Sequence, residues 1–87
     1  MTDHIKGVRP LDFPYLKRMR DLREDHDKTQ QEIAAILGTS QTMYARYERG
    51  ANELPIHHLL LLCDYYRVSA DYFLGRTNQR IVARFHE

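Results

Sequence analysis

Apolar residues recur along the chain at helical spacing, in blocks separated by capping residues and glycines. From about Tyr15 to His26, Leu16, Met19 and Leu22 recur every third position. Lys17, Arg18, Arg20, Asp21, Glu24 and Asp25 cover the other positions, which predicts an amphipathic surface helix. Arg18 and Asp21, three apart, are placed to pair across one turn, worth a few tenths of a kcal/mol at most. Asp27 stands where this helix must stop, and aspartate tolerates the left-handed backbone region better than most residues. Thr29 followed by Glu32 then forms a capping box, so a second helix begins near Gln30. Its stripe is Ile33, Ala34 and Leu37, and Gly38 supplies the left-handed stop. Ser40 caps a third helix that runs to Arg49 and ends at Gly50. Tyr44 and Tyr47 share one face of it, while Gln41, Thr42, Ala45 and Arg46 look outward.

The Leu54-Pro55 step opens a fourth helix, because proline is accepted in a first turn and discourages helix before it. Ile56, Leu59, Leu62, Cys63 and Tyr66 make its main stripe. Leu61 and Tyr65 lie on nearly the opposite face, a second apolar strip that fits a contact with another copy of the chain. Ser69 caps a short fifth helix over Ala70 to Leu74, with Asp71 favourably placed in its first turn and Gly75 ending it. The expected fold is therefore all-α, with five helices in one compact domain over residues 15–75. Residues 1–14, with Gly7, Pro10 and Pro14 and no apolar period, read as an N-terminal arm. Residues 76–87 carry Ile81, Val82 and Phe85 without a firm period, a C-terminal tail that fits a helical extension, an edge strand or a frayed end, and that is a candidate for dimerisation.

An 87-residue chain holds one modest helical core and leaves no room for a catalytic cleft with its supporting shells. Enzymatic activity is not expected, since Asp64, Asp71 and the histidines form no acid/base or nucleophile arrangement. The single cysteine, Cys63, excludes an internal disulfide and fits a small core residue. Neighbouring His57 and His58 point to different sides of a helix, and no second cysteine or close carboxylate completes a site, so no metal or other cofactor is expected. No apolar run approaches the roughly 20 residues needed to span a bilayer, and no secretory leader is visible, so the expected compartment is the cytoplasm.

Formal net charge is only +1, and residues 1–28 carry seven Lys/Arg against six Asp/Glu. Any polyanion partner must therefore be met by local placement of a few basic and amide groups and by helix N-termini, not by a broadly positive surface.

The segment TQQEIAAILGTS with ARYERG resembles the Cro/repressor-type helix-turn-helix regulators of bacteria and phages. The likeness extends from LKRMRDLRE before the motif to LLLLCDYYRVSADYFLG after it, about residues 15–75. It implies a lambda-repressor-like DNA-binding domain in which the motif's second helix enters the major groove and the first lies across the backbone. On that resemblance Gln41, Thr42, Ala45 and Arg46 face base edges, Ala45 near a thymine methyl. Gln30 corresponds to a phosphate-contacting glutamine at a helix N-terminus, and Met43, Arg49 and Asn52 are further backbone candidates. Arg23 and Glu48 occupy the places of an internal structural ion pair. The chain departs from the family pattern at Lys28, where a leucine usually staples onto Ile33, and at the two core-facing tyrosines, whose hydroxyls need a rim, a partner or a phosphate.

The function implied is sequence-specific binding of double-stranded DNA by a transcriptional regulator, a repressor acting as a homodimer on a pseudo-palindromic operator. The alternatives are the antitoxin half of a toxin–antitoxin pair, which would bind a protein partner as well as DNA, and a helical interaction module that has lost DNA binding.

Overall fold

Helix α1 spans Pro14–Asp25, α2 Gln30–Leu37, α3 Gln41–Glu48, α4 Ile56–Tyr66 and α5 Ala70–Phe73, in a computed structural model that describes residues 14–80. No strand occurs among these residues, so the described part of the chain is all-α as expected. Residues 1–13 of the proposed arm, and residues 81–87 of the tail with Ile81, Val82 and Phe85, lie outside the described residues.

Each boundary has a local cause. Asp27 sits in the left-handed region (φ 56°) and ends the turn after α1. Thr29 accepts a hydrogen bond from the Glu32 amide, and Glu32 reaches back to the Thr29 amide at 2.9 Å, completing the capping box. Gly38 (φ 72°) then closes α2, with the Thr39 amide donating to the Ala34 carbonyl at 3.0 Å. Ser40 caps α3 through the Met43 amide, and Ser69 caps α5 through the Tyr72 amide. Pro55 stands before α4 as its cap residue and not within its first turn, and it offers no side-chain cap. Arg67 (φ 60°) takes the left-handed stop after α4, at a position where glycine would have been the sequence signal.

The helices bury one core. Leu16, Met19 and Leu22 from α1 meet Ile33, Ala34 and Leu37 from α2, Tyr44 and Tyr47 from α3, and Leu62, Cys63 and Tyr66 from α4. Phe73 of α5 is fully buried and Val68 closes that end. Helix α3 packs on both α1 and α2, so its direction is set from two sides. The stripe of α4 departs from expectation at its start: Ile56 is 73% exposed, whereas His58 is buried. Because α4 begins at Ile56 itself, that residue projects from the free end of the helix beyond the core.

Arg18 does not pair with Asp21. Lys17 takes Asp21 at 2.6 Å instead. Arg18 turns to the other end of the domain, donating to the carbonyls of Tyr72 and Thr77 and to Asn78 Oδ1. Its guanidinium lies 3.9 Å from the centre of the Tyr72 ring. Residues 76–80 thus fold back along α5, and the Arg80 carbonyl accepts from the Ser69 amide at 2.9 Å.

Gly38 and Gly75 give a controlled comparison, since both have similar positive φ (72° and 82°) but a Cβ on Gly75 would stand 2.4 Å from Pro14 Cβ, whereas one on Gly38 meets nothing within 4 Å. Gly38→Ala should cost roughly 1–2 kcal/mol from backbone strain alone. Gly75→Ala should cost more, by about 1–3 kcal/mol of overpacking. Urea denaturation of the two variants measures the difference, and equal losses would refute the close approach of Pro14.

Candidate nucleic-acid interface

The helix-turn-helix hinges on Glu48, the last residue of α3, which is 7% exposed. Arg23 of α1 donates to both its oxygens, Nε to Oε2 at 2.6 Å and Nη2 to Oε1 at 3.2 Å. The Tyr44 hydroxyl donates to Oε2 at 2.6 Å, and Gln30 Nε2 donates to Oε1 at 3.1 Å. Arg23 also donates to the Lys28 carbonyl at 2.9 Å, tying the loop before α2 into the same cluster. Three helices therefore meet on one carboxylate. Burial pushes the Glu48 carboxyl up, but hydrogen bonds from Arg23, Tyr44 and Gln30 outweigh it and hold it below the usual carboxylate range. Burial first, and then the neighbouring Glu48, raises the Tyr44 phenol well above its ordinary value, so it remains a hydrogen-bond donor throughout the accessible pH range.

The outlet of the Tyr44 hydroxyl is thus resolved. Tyr44 is wholly buried and its hydroxyl serves Glu48, not a phosphate. Tyr47 packs edge-on against the His58 ring, with centroids 5.8 Å apart. His57 and His58 do not diverge as expected: their rings approach to 4.3 Å, although His57 is exposed and His58 buried. Burial, and then His57, lowers the His58 pKa, so it is neutral near pH 7. Burial pushes the Cys63 thiol up to about 11, with Asp64 adding to the shift, which leaves it an unreactive thiol. Among the described residues no His/Cys/Asp/Glu group is arranged to hold a metal ion.

The outward surface of the motif is polar. Gln41 and Thr42 are exposed at the start of α3, with Ala45 and Arg46 half-buried one turn on and Arg49 exposed beyond its end. Gln30 stands beside this row, its Oε1 accepting from Gln41 Nε2 at 3.4 Å while its amide nitrogen holds Glu48. Arg46 Nε donates to Asn52 Oδ1 at 2.6 Å, and the Arg46 carbonyl accepts from the amides of Ala51 and Asn52. The structure therefore places Asn52 as a brace on Arg46. Met43 is half-buried against the core, and Tyr65 is likewise partly covered, lying 6.5 Å from the His26 ring centre. Leu61 remains exposed, with Leu60 and Ile56 on the same helix.

Beside this arrangement of two capped helices with a polar outward row, the sequence matches the helix-turn-helix family model over residues 19–73. The chain belongs to this family. Curated relatives agree with that assignment. The domain is 36% identical over 64 residues to the uncharacterized HTH-type transcriptional regulator YobD of Bacillus subtilis, covering 74% of this chain and 57% of that protein. It is 32% identical to the HTH-type transcriptional regulator AnsR of the same organism, over 78% of this chain and 59% of that one. It is also 36% identical to the antitoxin PezA of Streptococcus pneumoniae, over 61% of this chain and 34% of that protein. The chain thus spans about a third to three fifths of the length of these relatives. No helix of the described residues is long and apolar enough to cross a membrane.

Sequence patterns carried no signal for the link from Gln30 to Glu48, because side chains 18 residues apart meet only once α2 and α3 are packed, whereas Tyr44 and Glu48, four apart on α3, are neighbours on one helix face. The Arg46–Asn52 bond was equally hidden, although Asn52 follows Gly50 in a turn that brings the chain back on α3.

The Glu48 cluster has a pH signature. A carboxylate whose folded pKa is depressed contributes stability that is present above its unfolded value of about 4.3 and is lost as pH falls through the folded pKa. Glu48→Gln should destabilise the domain at pH 7 by about 3–5 kcal/mol, since it strands the Arg23 charge. The gap from wild type should shrink as pH is lowered below about 4.3. Urea melts at a series of pH values test this, and a gap independent of pH would rule out the depressed carboxylate.

Proposed function

We propose that this domain is a sequence-specific, double-stranded-DNA-binding transcriptional regulator in which α3 reads the major groove. The observation that carries the reading is the outward row Gln41, Thr42, Ala45 and Arg46 at the start of a helix whose angle is held by the buried Glu48 cluster. Gln41 has the chemistry for a bidentate pair with adenine and Arg46 for one with guanine, each about 1–3 kcal/mol of discrimination. Ala45 offers a methyl to thymine, and Thr42 serves several bases. Gln30, with the free amides of the α2 N-terminus, fits a backbone phosphate, and Met43, Arg49 and Asn52 flank the same face. In Asn52 the side chain also braces Arg46, which lowers the entropy lost when the guanidinium meets a base.

The names of YobD and AnsR support regulation of transcription. Repression as a homodimer follows as the simplest form: two copies place α3 about 34 Å apart on a pseudo-palindromic site. Leu61 and Tyr65 on α4 are the proposed dimer contact, with residues 1–14 as an arm, 15–75 as the DNA-binding domain and 76–87 as a tail. Arg23 and Glu48 are assigned structure and not DNA contact. No catalytic role and no cofactor is assigned, and the cytoplasm is the proposed compartment. The similarity to PezA favours a second reading, an antitoxin that binds a protein partner as well as DNA. Co-purification with the product of an adjacent gene separates the two.

Selection of sites from a random duplex pool, followed by competition binding over a salt series, tests the main reading. We expect one preferred, paired half-site and an affinity that falls steeply with salt. Arg46→Ala should lose about 1–3 kcal/mol of discrimination at one or two base pairs. Gln30→Ala should weaken all duplexes alike, with thermal melts separating that loss from the loss of its bond to Glu48. No preference for any duplex over random DNA would reject the function.

A further inference from the structure

Gly50 (φ 80°) follows α3 in the left-handed region and bends the chain back over the end of the helix. The Gly50 amide donates to the Tyr47 carbonyl at 3.2 Å and the Ala51 amide to the Arg46 carbonyl at 2.9 Å, the paired bonds of a glycine C-cap. The Asn52 amide adds a third, to the same Arg46 carbonyl at 3.3 Å. Asn52 is thereby carried alongside Arg46, and its Oδ1 accepts from Arg46 Nε at 2.6 Å. Backbone and side chain of Asn52 both close on Arg46. The two residues are half-buried, so water competes less for this bond than it would on an open helix face. Nε carries one of the five donors of the guanidinium, and the other four, on Nη1 and Nη2, meet no hydrogen-bond or ion-pair partner among the described residues.

We propose that Asn52 is a specificity-determining positioning residue: by holding Nε it leaves Arg46 only its Nη1–Nη2 edge for a bidentate contact, and so commits Arg46 to a base that presents two acceptors side by side. This rests on Arg46 being a base reader of α3. A guanidinium can grip two acceptors through Nε and one Nη, or through its two Nη groups. Asn52 removes the first choice. What remains is a pair of parallel donors, and the base edge in the major groove that matches them is guanine, with O6 and N7 both accepting. An untethered arginine also swings to a neighbouring phosphate, a contact that carries no sequence information. Fixing Nε shortens that swing and removes part of the entropy lost on binding. In this role Asn52 acts wholly through Arg46, and the glycine turn after α3 serves to deliver it.

The test is a double-mutant cycle on the selected duplex and on versions of it with each base pair changed in turn, for wild type, N52A, N52D, R46A and N52A/R46A, with thermal melts to confirm folding. R46A identifies the base pair that Arg46 reads. N52A should lower the preference at that base pair alone by about 2- to 12-fold, the worth of one long side chain held in place beforehand. In the R46A background, N52A should change no preference. N52D keeps an acceptor for Nε and should retain the preference while weakening every duplex alike, because its charge repels phosphates. A loss equal on all duplexes that persists in the R46A background would overturn the proposal and make Asn52 a backbone contact in its own right. Full wild-type preference in folded N52A, or in folded R46A, overturns it too and leaves DNA binding by the domain standing. If the wild-type protein prefers no duplex over random DNA, this inference and the function it rests on fall together.

Discussion

The angle between the two motif helices depends on burying the Glu48 carboxylate without leaving it alone. A charge at 7% exposure carries a heavy desolvation cost, and that cost is offset only when its partners keep their geometry. Arg23 comes from α1, Tyr44 from α3 itself and Gln30 from the first residue of α2. Apolar contacts among Ile33, Leu37, Tyr44 and Met19 hold the helices together but tolerate sliding, since hydrophobic burial is non-directional. The hydrogen bonds to one carboxylate supply the direction. Gln30 links this to the surface: the side chain that helps anchor Glu48 also receives a hydrogen bond from Gln41, so the core cluster and the outward row share a residue.

Most local signals were legible in the sequence, the left-handed stop at Arg67 and the place of Pro55 before α4 being the exceptions. Caps at Thr29, Ser40 and Ser69, and left-handed positions at Asp27, Gly38, Gly50 and Gly75, depend on neighbours within a few residues, and all appear in the structure. Apart from the Arg23–Glu48 pair, which the family resemblance implied, side-chain partners across helices were not legible. Arg18 illustrates why: by spacing it belongs with Asp21, but the competing partners lie 54 to 60 residues away and exist only in the folded chain. A guanidinium with several carbonyl acceptors and an aromatic face outcompetes one exposed carboxylate, which Lys17 takes instead. Ile56 fails for a related reason, because periodicity assigns a face but not whether the neighbouring helix extends far enough to cover the first turn.

Charge distribution matters more here than total charge. The buried ion pair cancels itself, and acidic side chains on the exposed faces offset most of the remaining cations, so the net value of +1 conceals where the uncompensated ones stand. Around the motif, among the described residues, Arg46, Arg49 and Arg20 have no ion-pair partner and stand close to the amide side chains of Gln30 and Gln41. A duplex would meet discrete donors in a fixed array, so shape and register carry more of the selectivity than long-range attraction does.

The Arg18 clasp also joins the two ends of the described chain. The contacts that shape the helix-turn-helix span short stretches of chain, and closing such loops carries little entropy. Arg18 instead must find Tyr72, Thr77 and Asn78 at the far end of the domain, a closure that gains nothing until α5 has formed. The first and last helices are thereby joined by a polar latch of long sequence separation. By chain separation alone, this latch closes a longer loop than the Arg23–Glu48 bond that sets the motif, and so carries the larger closure entropy of the two.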